Sequence, residues 1–142
     1  MIDISNVVMR IIKDAVSTAY PNCAFTSDQP AELSVFPAVT VVESDNHSYD
    51  EGLDNTYEEE YANVMYDVNV YSNKKDGKRA EAKAIVNLLD NAMIKAGFKR
   101  MMKQELPNID RTIYRIMARY KAVASAPYTD SKGNTVHDIY RR

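Results

Sequence analysis

Residues Ile4, Val7, Val8, Ile11, Ile12, Ala15, Val16 and Ala19 recur at intervals of three and four along the first stretch of the chain. That spacing predicts an amphipathic helix over 4–19, with Asp3 or Ser5 available to cap it and Tyr20-Pro21 to end it. An irregular stretch, PNCAFTSDQPAELS, follows. VFPAVTVVES then predicts a short strand over about 35–43, with Pro37 near its start where a missing N–H donor costs least. In YANVMYDVNVYS the alternation is strict. Val64, Tyr66, Val68 and Val70 share one face, and Asn63, Met65, Asp67 and Asn69 share the other, as in a half-buried strand.

A second helix is predicted from Ala84, Ile85, Leu88, Leu89, Ala92, Met93 and Ala96. Asn73 or Asp76 can cap it, and Gly97 suits the left-handed position just past its end. NIDRTIYRIMARYKAVA alternates again. Thr112, Tyr114, Ile116, Ala118 and Tyr120 lie on one face, with Arg111, Ile113, Arg115, Met117, Arg119 and Lys121 on the other. The tail SAPYTDSKGNTVHDIYRR centres on a Lys-Gly-Asn turn between β-prone pieces. The expected fold is α+β, a two-layer sandwich in which two helices pack on one face of a mostly antiparallel or mixed sheet. Residues 1–124 form the domain, and 125–142 form a C-terminal hairpin or extended arm.

The 142 residues fit one domain, and 45% hydrophobic with 27% charged residues is ordinary for a globular protein. The single cysteine, Cys23, excludes an intramolecular disulfide and any multi-cysteine metal site. It reads as a small core residue, with no His/Asn arrangement to make it a nucleophile. No apolar run reaches the roughly 20 residues needed to cross a bilayer. The N-terminal stretch reads as an amphipathic helix rather than a signal peptide, so a reducing cytoplasm is the expected compartment.

Charge changes the picture more. Asp14 to Asn73 holds twelve acids and no Lys or Arg, whereas Lys74 to Arg142 holds sixteen bases against seven acids. Such polarity suits nucleic acid, or a protein whose copies meet acidic side to basic side. The acids crowd into the polar stretch 44–60, where Asp50, Glu51, Glu58, Glu59 and Glu60 make a candidate partner-facing surface. That stretch lacks the ligand spacing of a calcium loop. On the last strand, Arg111, Arg115 and Arg119 repeat every four residues, about 13 Å apart on one side, and Lys121 joins them. They stand as a subunit interface or channel lining, or as cross-strand partners of Asp67 or Glu59.

DVNVYSNKKDGKRAEAKAI has the strand–turn–helix layout of a phosphate-binding loop. The earlier glycine position holds Ser72 and the hydroxyl position holds Arg79, so the segment reads as a strand-to-helix junction. No catalytic constellation emerges, and neither a cofactor nor a metal is expected.

The order of elements, with the Phe-Pro-Ala-Val (36–39), Tyr-Ser-Asn (71–73) and Tyr-Arg-Ile (114–116) pieces, resembles the tail terminator (tail completion) proteins of tailed phages and prophages. The similarity spans residues 1 to about 123. It implies a non-enzymatic virion protein that forms a homo-oligomeric ring, commonly a hexamer, at the head-proximal end of the tail tube. The implied partners are other copies of the chain, the major tail tube protein and a neck or head-closure protein, with DNA passing non-specifically through the channel and no membrane. Assembly would take place in the host cytoplasm, and the finished ring would sit in the virion. A head-closure or connector protein, and a small nucleotide-binding regulator using Gly77-Lys78, are the competing readings.

Overall fold

The computed structural model describes residues 1–27, 35–48, 61–106 and 110–141. In chain order they form α1 (Ser5–Ser17), β1 (Ala24–Thr26), β2 (Ala38–Ser48), β3 (Tyr61–Ser72), α2 (Lys78–Ala96), β4 (Lys99–Leu106), β5 (Tyr114–Ser125), β6 (Tyr128–Thr129), β7 (Thr135–Val136) and β8 (Ile139–Tyr140). Of the described residues, 44% are strand and 27% helix, an α+β fold. The main sheet runs β1-β2-β3-β5-β4, and β8 also pairs with β5. Only β1–β2 is parallel, so the sheet is mixed.

One hydrophobic cluster joins both helices to one face of the sheet. Val8, Ile12 and Val16 of α1, and Ala82, Ile85, Val86, Leu89 and Met93 of α2, pack on Val39, Val41, Val64, Val68, Val70, Ile116 and Ala118. The α2 stripe is centred slightly differently from the predicted one: Ala82 and Val86 are fully buried, while Ala84 and Leu88 lie at its margin. Tyr66 and Tyr120 are completely buried within this layer, and each hydroxyl is hydrogen-bonded. Tyr66 donates to Glu43 Oε2 at 3.1 Å and Tyr120 to Asp90 Oδ1 at 2.7 Å. Tyrosine can sit this deep because each polar tip finds an acceptor at the edge of the core. Cys23 belongs to the same cluster, and burial, with a smaller contribution from the Glu81 charge, pushes its thiol up to about 11.

Several expectations need correction. The helix predicted over 4–19 spans Ser5–Ser17; Asp3 Oδ1 accepts the Ser5 N–H at 2.9 Å, but Ile4 holds the cap position. β2 runs to Ser48, well past Glu43, because antiparallel pairing with β3 carries its polar end. β1 and β4 fall in segments without clear alternation; both are edge strands that borrow their order from a neighbour. The start of α2 is occupied by Gly77 (φ 87°) rather than by an Asn73 or Asp76 side-chain cap. At the other end Gly97 (φ 112°) takes the predicted left-handed position. It has a second reason to be glycine, since a Cβ there would meet the Ile139 carbonyl oxygen at 2.5 Å.

The tail forms a short hairpin, β6–β7, around a turn in which Asp130 Oδ1 accepts the N–H groups of Lys132 and Asn134. Beyond it the chain returns to the sheet. Ile139 and Tyr140 pair with Ala124 and Val123, and Arg141 donates to the Ile94 carbonyl at the end of α2. Residues 125–141 are therefore a strap fastened to the domain.

Candidate functional site

The sheet face away from the helices carries the chemistry. Its side chains fall into cross-strand rows set by the register: Ala38–Tyr71–Arg115–Leu106, Thr40–Asn69–Met117–Gln104, Val42–Asp67–Arg119–Met102 and Asp45–Met65–Lys121–Lys99. A strand spacing of about 4.8 Å brings row neighbours into side-chain contact.

Two of the predicted arginines are engaged within this face. Arg119 meets Asp67 at two points, Nε to Oδ1 at 2.7 Å and Nη2 to Oδ2 at 3.1 Å. Arg115 donates from Nε to Asn69 Oδ1 at 2.9 Å, and its guanidinium lies over the Tyr71 ring, 5.6 Å from the centroid. That bond turns the Asn69 oxygen toward Arg115 and leaves Nδ2 without a partner in the fully buried Asn69. Thr40, directly opposite, likewise has an unpartnered buried hydroxyl. Of the two alternatives drawn from the sequence for the arginines, cross-strand pairing with Asp67 holds for Arg119.

Arg111 does not share the face. β5 begins at Tyr114, and Arg111 sits in the preceding turn, where Asp110 Oδ1 accepts both the N–H and the Oγ1–H of Thr112, at 2.9 and 2.6 Å. The expected four-residue repeat thus loses its first member, because an Asx-type turn competes with the strand there. The Arg111 carbonyl accepts a hydrogen bond from Lys78 Nζ at 3.0 Å, which ties the lysine of the Gly77-Lys78 turn to this loop.

Lys121 is half-buried and lines a cavity of about 200 Å³ with Asp45, His47, Asn63 and Met65. Within that cavity Asp45 Oδ2 lies 3.0 Å from His47 Nδ1. Lys99, which sequence reasoning did not single out, stands directly opposite Lys121. The remaining predicted residues, Asp50, Glu51, Glu58, Glu59 and Glu60, lie outside the described residues.

Charge is sorted across the sheet. β2, on one flank, carries Glu43 and Asp45 and no Lys or Arg. β4, on the other flank, carries Lys99, Arg100 and Lys103 against Glu105. On the helix side of β4, Arg100 pairs with Asp90 at 2.8 Å, and Arg79 and Lys83 approach Glu105 at 3.4 and 3.7 Å. Among the described residues no cluster of three or more His, Cys, Asp or Glu side chains is placed to hold a metal ion. No helix of the described residues is long and apolar enough to cross a membrane. No family model matches the chain, and no curated protein matches it either.

Proposed function

We propose that this chain is a structural subunit that assembles head to tail with copies of itself into a closed ring, in the role of a phage tail terminator. The ring would end tube polymerisation and present a surface to the neck. The observation that supports this reading is the sorting of charge onto opposite flanks. Acidic β2 and basic β4 are separated by β3 and β5, about 14 Å at the usual strand spacing. The stretch 49–60, which joins β2 to β3 in sequence, adds six acids and no base. Two different, complementary surfaces on one subunit are what a heterologous interface requires, and repetition of such an interface closes a ring. Arginines already held by their neighbours, Arg119 by Asp67 and Arg115 by Asn69, also suit a channel through which DNA slides.

Sedimentation velocity and mass photometry across a salt series test the proposal. A single closed oligomer is expected at low salt. It should weaken toward 1 M, where the Debye length falls from about 10 Å at 0.1 M to about 3 Å. A chain that stays monomeric throughout, or that forms only two-fold dimers through identical surfaces, overturns it.

A further inference from the structure

Lys99 and Lys121 stand directly opposite each other on β4 and β5. Like charges in opposed cross-strand positions repel, and sheets ordinarily place an acid or a neutral residue at one of the two. Here neither lysine forms an ion pair among the described residues, although Arg79, Lys83, Arg100 and Arg119 do. On the same face Arg119 is held by Asp67, and Arg115 by Asn69 and Tyr71. The one carboxylate in their row, Asp45, lies against His47 at 3.0 Å, two strands from Lys121. The face therefore carries two adjacent ammonium groups with no counter-charge among the described residues, beside the open cavity that Lys121 lines.

We infer that the Lys99–Lys121 pair is the docking point for the acidic stretch 50–60 of a second copy, a deepening that rests on the ring reading above. Charge complementarity argues for this occupant. Residues 50–60 hold six carboxylates (Asp50, Glu51, Asp54, Glu58, Glu59 and Glu60) and no base, so every copy brings one acidic segment to each pair of lysines. In sequence the segment joins β2 to β3, whereas the lysines stand on β5 and β4. Head-to-tail packing brings those two flanks together. Glu58-Glu59-Glu60 supplies enough neighbouring carboxylates to satisfy both ammonium groups at once. The arginines of the same face, already paired, would take no direct part.

Carbodiimide coupling in an equal mixture of ¹⁴N- and ¹⁵N-labelled full-length chains tests this, because the reagent joins only carboxylates and amines in contact. The expected products link residues 58–60 to Lys99 or Lys121 and carry one light and one heavy partner. Charge swapping gives the second measurement. K99E/K121E and E58K/E59K/E60K should each lose the oligomer while keeping the parent circular dichroism, and an equimolar mixture of the two should regain it. Oligomers that form without these links, or without loss in K99E/K121E, overturn the docking and leave the ring reading standing. Links found only within one chain also overturn it, as does protection of the two lysines by an oligonucleotide instead of by a second copy. A chain that is monomeric under all conditions overturns both readings.

Discussion

The Arg119 guanidinium and the Asp67 carboxylate form a two-point ion pair across β5 and β3, with 2.7 and 3.1 Å separations. Asp67 is largely shielded, its side chain 17% exposed against 36% for Arg119. Shielding and fixed geometry raise the worth of such a pair above that of a free surface bridge. Asp67→Ala should lower the free energy of unfolding by about 1–2 kcal/mol. Lys121→Ala, on the same strand as Arg119 but without an ion pair among the described residues, should change it by under about 0.5 kcal/mol. Urea titration of both variants checks the contrast, and equal losses would mean that the pair contributes little. Reversing Arg119 to Glu would set two carboxylates side by side, so it tests folding before assembly.

Gly97 and Gly133 both have positive φ, 112° and 82°, but only Gly97 is crowded. Gly133→Ala should cost about 1 kcal/mol, the conformational penalty alone. Gly97→Ala adds a clash with the Ile139 backbone and should cost more, about 2 kcal/mol or above. It should also loosen β8, seen as faster hydrogen exchange at residues 139–141 and earlier proteolytic loss of the tail. Identical behaviour of the two variants would show that the strap does not depend on this close approach.

Asp3 and Asp110 are held below their ordinary value of 3.8, chiefly by hydrogen bonds from Ser5 and Thr112 respectively. A depressed carboxyl stabilises the fold above its ordinary value, and that contribution is lost as pH falls through the folded-state value. Stability should therefore decline on acidification below about pH 4. Thr112→Val should flatten part of that decline and let the Asp110 carboxyl rise toward 3.8, measured by NMR titration. An unchanged Asp110 titration would remove Thr112 as the cause.

Cys23 is buried, and its thiol is pushed up to about 11. Only the thiolate reacts, so labelling at neutral pH should be slow in the folded chain and fast in denaturant. As the only cysteine, it makes the labelling rate a direct report of opening around the α1–sheet core. Rapid labelling under native conditions would show that this end of the core opens readily.

Periodicity alone located α1, β3, α2 and β5, because each buries a stripe or a face of its own, and burial leaves a repeating apolar mark. It also sorted the faces of β3 and β5, so Tyr66 and Tyr120 were readable as core and Arg115, Arg119 and Lys121 as companions on the opposite face. The acidic and basic halves were likewise plain in the linear order. Tertiary structure decided what depends on neighbours distant in sequence. β1 and β4 are edge strands ordered by pairing, with little apolar pattern to betray them. Register chose Asp67 for Arg119, put Tyr71 opposite Arg115 with Asn69 in diagonal reach, and set Lys99 against Lys121. A local Asp110–Thr112 turn removed Arg111 from the row. Which charges are satisfied and which are left for a partner is a property of cross-strand distance, and no one-dimensional spacing contains it.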